Sequence, residues 1–187
     1  MSGGRISEMA IDPAIRLLCA FALALIFGGS GAMKLRDLEM FEGSLANYQL
    51  VPKWTEKPLA FLFPILEISA AAGVLFASTR SLAGSMLLAL LMVFTGALAI
   101  SLARGRVDID CGCFGPALRQ KLSAALLWRN LFLVVVAAIA LMHETGRALN
   151  AIDTATIAMG ATTLVILYAS ANVAIANAPK LRALEQV

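Results

Sequence analysis

The sequence predicts an all-α integral membrane protein, a bundle of about five transmembrane helices. Three observations lead there. Hydrophobic residues make up 60% of the chain and charged ones only 14%, with a mean hydropathy of +0.83, whereas soluble domains run at roughly 45–50% apolar and about 25% charged. The few charges fall mostly between apolar stretches instead of within them. Each stretch has the length of about 20 residues that a helix needs to cross the hydrocarbon of a bilayer.

Taken in order, the first span runs from about Ile15 to Met33 and ends in Lys34. It lacks a small-residue cleavage signature and is expected to stay as a spanning helix. The second, Pro58 to Thr79, carries Glu67; the third, Ser81 to Ala103, is uncharged. The fourth, Leu122 to Met142, carries Arg129, and the fifth, Thr154 to Ala178, has no charge. Residues 1–14 then form an N-terminal tail, 15–178 the bundle with a loop at 104–121, and 179–187 a C-terminal tail. The apolar spans leave no residues for a second core, so one domain is expected. Gly28-Gly29-Ser30-Gly31-Ala32 in the first span and Gly84, Gly96 and Gly160 elsewhere are the small residues that let membrane helices approach closely.

The connections are unequal. A turn around Arg80 and the segment His143–Asn150 lie on one side. The longer loop from Lys34 to Lys57, the cysteine loop and the C-terminal tail lie on the other. The net charge is only +3, and the basic residues sit beside apolar spans. They read as orientation and headgroup signals toward the lipid bilayer, and no nucleic-acid partner is expected.

The segment Arg104-Gly-Arg-Val-Asp-Ile-Asp-Cys-Gly-Cys-Phe-Gly115 places two thiols one residue apart at the mouth of the bundle. Fully extended, Cys111 and Cys113 have Cα atoms about 7 Å apart, so a bridge needs a bent backbone to enter the usual window of about 4.4–6.8 Å. Gly112 permits that bend. So small a ring favours an oxidising, easily reduced disulfide. Arg104 and Arg106 favour the thiolate, while Asp108 and Asp110 oppose it. An inert bridge that staples the loop is the competing reading. A metal site would need Asp110 and one more ligand beside the two thiols, but the single histidine, His143, falls on the other side, and no metal is expected. Cys19, alone in an apolar span, reads as a small hydrophobe.

Charges within membrane spans are functional candidates by default. Glu67 and Arg129 are within reach of pairing, and Lys34, Asn130 and Asn172 lie toward the same side. Lys34, Glu67, Arg129 and Asn130 are therefore the candidate cofactor-binding residues. No cofactor is fixed by the sequence, but an apolar cavity with a few placed polar groups suits a quinone or similar ligand. An ion pair that only locks two helices together is the alternative.

The motifs Tyr48-Gln-Leu-Val-Pro52, Phe63-Pro-Ile-Leu-Glu67, the cysteine segment, Trp128-Arg-Asn130 and Met33-Lys-Leu35 together resemble the methylamine utilisation protein MauE family, within the wider DoxX-like membrane proteins. The likeness covers about Ile15 to Met142; Ser101 and Ala124 depart from its pattern, where asparagine and an aromatic residue are common. It implies a DoxX-like four-helix core and a multi-pass protein of the bacterial inner membrane. It also implies a role in maturing the small subunit of methylamine dehydrogenase, a disulfide-rich protein, with a thioredoxin-like partner of the MauD type. The family's paired thiols would be Cys111 and Cys113.

One inference pulls against that picture. Ten basic residues, from Lys34 and Arg36 to Lys180 and Arg182, lie on the cysteine side, against four on the other (Arg5, Arg16, Arg80, Arg147). The positive-inside rule alone would turn the thiols toward the cytoplasm, whereas a periplasmic partner needs them outside. The expected function is a membrane thiol-disulfide redox factor with the cysteine loop in the periplasm. The alternative is a non-enzymatic assembly protein that docks its partner around a structural Cys111–Cys113 bridge.

Overall fold

The computed structural model describes residues 10–107, 109, 111–112 and 120–184. Among these, six helices carry the fold: α1 Pro13–Arg36, α2 Leu38–Tyr48, α3 Lys53–Gly73, α4 Arg80–Ala103, α5 Ala124–Leu141 and α6 Ala151–Leu184. The all-helical membrane class is as expected. Four helices, α1, α4, α5 and α6, are long and apolar enough to cross a membrane. The second expected span, α3, carries Lys53, Glu56, Lys57 and Glu67 and packs against α1 and α4.

Local chemistry sets the helix ends. Pro13 opens α1, and the Asp12 carboxylate accepts a hydrogen bond from the Ala14 amide at 2.8 Å, satisfying one of the donors that a helix start leaves open. Asp37 leaves the helical region and caps α2 by accepting from the Met40 amide at 3.1 Å. The stretch expected as an open loop between Lys34 and Lys57 thus contains a helix. Its pattern was present in the sequence: Leu38, Phe41, Leu45 and Tyr48 recur at helical spacing, and Phe41 is buried. Gln49 ends α2 in the left-handed region, with φ 50°. The second expected span begins earlier and ends earlier than its hydropathy suggested. Arg80 stops α3 by donating to the carbonyls of Val74 at 3.0 Å and Leu75 at 3.3 Å.

The core runs along α1. Leu23, Ala20, Ala70, Ala71, Val74, Leu87 and Ala137 are buried together where α1, α3, α4 and α5 meet. Small side chains let α1 and α3 approach: a Cβ on Gly31 would stand 2.7 Å from Ile68 Cγ1 and 3.0 Å from the Pro64 carbonyl. At the end of the bundle where α1 begins, Ile11 exchanges backbone hydrogen bonds with His143 and Thr145. His143 therefore sits at the opposite end from Lys34, as the expected topology requires.

Candidate functional site

Cys111 follows the turn after α4, where Gly105 has φ +72°. It is disulfide-bonded, 8% exposed, and packed with Leu98, Leu122 and Leu126. Its amide donates to the Gln120 carbonyl at 2.9 Å, and the Leu122 amide donates to the Ile109 carbonyl at 3.0 Å. The outgoing and returning arms of the loop are therefore stitched together at the cysteine. Gly112 has φ +70°, a conformation that side chains rarely adopt, and a Cβ there would lie 2.6 Å from Ser44 of α2. Two independent constraints thus require glycine between the cysteines. Cys113, Asp108 and Asp110 lie outside the described residues. Cys19 is a buried free thiol in the core of α1.

A buried polar network fastens the loop to the bundle. Arg129 of α5 donates to Asn172 Oδ1 at 2.6 Å, to Gln120 Oε1 at 3.1 Å and to Asn130 Oδ1 at 3.1 Å. Gln120 Nε2 donates in turn to the Asn172 carbonyl at 2.7 Å. Since Gln120 also accepts from the Cys111 amide through its backbone, one residue links α5, α6 and the cysteine. The arginine holds its neighbours by several charge-assisted hydrogen bonds, which are stronger than neutral ones. It was singled out from the sequence as an intramembrane charge. Gln120 was not: nothing in its sequence neighbourhood distinguishes it from any polar residue before an apolar span.

Glu67 takes its partner from α1. Lys34 Nζ donates to Glu67 Oε1 at 2.5 Å, and the two residues are only 4% and 1% exposed. The sequence left Glu67 within reach of pairing with Arg129; the close α1–α3 approach at Gly31 brings Lys34 beside it as well. The ammonium also lies 4.5 Å from the Phe94 ring centre and 5.1 Å from that of Phe41, within cation–π range. Lys34, Glu67, Arg129 and Asn130 do line one cavity, together with Phe94 and Tyr168. Its volume is only about 40 Å3, which admits water and no ring. Glu67 Oε2 has no hydrogen-bond partner among the described residues.

The larger cavity is next door and apolar. It measures about 380 Å3 and is walled by Phe41, Ser44 and Tyr48 of α2, Phe63 of α3, Phe94, Gly96 and Ala97 of α4, and Cys111. Gly96, expected to serve helix packing, meets nothing within 4 Å of a built Cβ and faces this space instead. Burial pushes the Tyr48 phenol up to about 12, with the charge of Arg129 opposing in part, so it stays a neutral donor. This wall could not be foreseen, because α2 was not expected and Phe94 sits in a uniformly apolar span. Arg106 donates to the Asn47 carbonyl at 3.4 Å and to Gln49 Oε1, tying the loop to the end of α2. Arg104 caps α4.

The family described as methylamine utilisation protein MauE matches residues 12–143. The chain is 36% identical over 172 residues to the methylamine utilization protein MauE of Paracoccus denitrificans, covering 89% of this chain and 90% of that one. It is 35% identical over 132 residues to the MauE protein of Methylorubrum extorquens, covering 71% of each. To that of Paracoccus versutus it is 32% identical over 162 residues, covering 86% and 87%. No solved structure matches.

Proposed function

This chain belongs to the methylamine utilisation protein MauE family, and from that premise we propose that it is a membrane thiol-disulfide redox factor in maturation of the methylamine dehydrogenase small subunit. A thioredoxin-like protein of the MauD type is the proposed partner. The observation that carries this reading is Cys111: a disulfide-bonded sulfur, held by an anchored loop at the edge of a membrane bundle. Its proposed partner sulfur is that of Cys113, the other thiol of the Cys-Gly-Cys segment. Because Cys111 is buried, exchange with a folded partner falls to Cys113, through a mixed disulfide. Arg104 and Arg106 against Asp108 and Asp110 set the charge around the thiols and so their reactivity.

The protein is a membrane protein; the bacterial inner membrane, with the loop on the periplasmic face, is the proposed placement. The need for a periplasmic thioredoxin-like partner to reach the thiols is what supports it, against the count of basic residues. Replacing Cys111 and Cys113 separately by serine, and trapping mixed disulfides, tests the reading. Cys111→Ser is expected to accumulate a Cys113-linked partner and to stop maturation. A dehydrogenase that matures normally in both variants, with no trapped partner, would favour a docking protein with a merely structural bridge. Labelling the reduced thiols in intact cells with an impermeant reagent tests the side.

A further inference from the structure

We infer that the apolar cavity beside Cys111 is the binding site of a membrane quinone, which takes the electrons from the reduced cysteine pair. This rests on the redox reading above and adds its electron acceptor. Three features of the cavity argue for that occupant. The α4 wall runs from Met92 to Ile100, about 12 Å along the helix axis, so the space reaches from the loop into the hydrocarbon depth. Met92 and Val93 on that wall are each 55% exposed and apolar, which opens it toward lipid. At about 380 Å3 it falls in the usual range of about 300–1,000 Å3 for small-molecule sites.

The lining suits a flat, electron-poor ring. Phe41, Phe63 and Phe94 present aromatic faces, while Tyr48 and Ser44 bring hydroxyl groups to the same wall. The ammonium of Lys34 sits behind Phe41 and Phe94, with its charge met by Glu67. A lipid acyl chain would fill the same volume but accepts no electrons, and among the described residues the redox-active one on the wall is Cys111. A folded protein cannot deliver its own sulfur into a cavity of this size, so the acceptor that meets Cys111 must be small and lipid-soluble.

The step balances. The two thiol S–H bonds break and the S–S bond forms. The two electrons and two protons pass to the quinone, whose two carbonyls become hydroxyls. Tyr48 acts as the positioning residue for a ring oxygen; the Ser44 hydroxyl already donates to the Met40 carbonyl at 3.0 Å. The four charged and amide groups around Glu67 lie behind Phe94 in their own small cavity and take no part in holding the ring.

The test uses the full chain in detergent micelles, reduced and freed of reductant, with decylubiquinone as oxidant and its absorbance and the free thiols followed together. One quinone is expected to be consumed per protein as the disulfide re-forms. Gly96→Leu and Ala97→Phe, which project into the cavity, are expected to slow that oxidation at least about tenfold. Disulfide exchange with a soluble dithiol, measured on the same variants, reports whether the fold and the sulfurs survive. A photoreactive azidoquinone is expected to label the stretch from Met92 to Ile100. The inference is overturned if quinone leaves the wild-type thiols reduced while they still exchange with soluble dithiols, or if both filled variants are oxidised at the wild-type rate. Failure of any dithiol to reduce Cys111 would instead overturn the redox reading, and the electron transfer with it; labelling absent from α4 would overturn the site alone.

Discussion

The two ends of the bundle are both rich in charge and use it in opposite ways. Where α1 begins, Arg147 bridges Asp12 at 3.0 Å and Asp153 at 2.8 Å, and Arg16 pairs with Glu144 at 2.8 Å, with side chains in or near water. Where α1 ends, Lys34–Glu67 and the Arg129–Gln120–Asn172 network are buried. Exposed pairs are screened and weak. Buried ones are expensive to break, because each partner left behind is an uncompensated polar group. The first end closes the bundle; the second can hold a reactive loop still against a membrane cavity.

The sharpest way to break this contrast is Lys34→Met. It removes the hydrogen-bonded partner of the buried Glu67 carboxylate and is expected to destabilise by about 3–5 kcal/mol, measured by denaturant unfolding in micelles. Adding Glu67→Met on top is expected to recover much of the loss. If the single and double variants unfold alike, the pair is not the anchor described.

Next in size is Arg129→Met. It strands Gln120 and Asn172 with unmet hydrogen bonds, at about 1–3 kcal/mol for each buried group. The expected signature is local: faster reduction of the Cys111 disulfide and faster proteolysis in the 104–121 loop, with the far end unaffected. Uniform loosening of the whole bundle would show that the network does not act on the loop.

Gly112→Ala should cost about 1–2 kcal/mol from its backbone conformation alone, with the contact to Ser44 added. Ser44→Gly in the same chain is expected to relieve only the contact, so comparing thermal midpoints of the two variants separates the two terms.

The smallest effect belongs to Asp12→Asn at the other end. Its hydrogen bonds from Arg147 and from the Ala14 amide hold the Asp12 carboxyl below its ordinary value of 3.8. The stabilisation it brings is therefore present above that value and is lost as pH falls through the lowered one. The substitution should shift the thermal midpoint slightly and abolish that acid dependence. Raising salt to about 1 M, where the screening length is about 3 Å, should weaken this end and leave the cysteine end nearly unchanged.

Much of this architecture was legible before any coordinates, and for definite reasons. Spans show through hydropathy, so the helices from Pro13, Arg80, Ala124 and Ala151 lie near their expected places. Intramembrane charges are rare enough to stand out, which is why Lys34, Glu67, Arg129 and Asn130 were candidates before they were seen around one cavity. The need for glycine at position 112 followed from the Cys-Gly-Cys spacing and agrees with its φ of +70°. Pairing was not legible: which carboxylate meets which cation depends on helix rotation and on the close α1–α3 approach at Gly31. Nor was the cavity wall, since it is built by α2, whose weak amphipathic pattern was hidden in a polar connection, and by Gly96, which faces empty space where a packing contact was expected.

The central claim is that the Cys111 disulfide cycles while this protein works. Acid-quenched thiol trapping, with mass spectrometry of the peptide holding Cys111, measures its redox state in membranes of cells that are maturing methylamine dehydrogenase. A mixture of oxidised and reduced forms is expected, moving toward reduced when the membrane quinone pool is reduced. A Cys111 that stays wholly oxidised under every condition, while the dehydrogenase matures at its normal rate, would contradict the account.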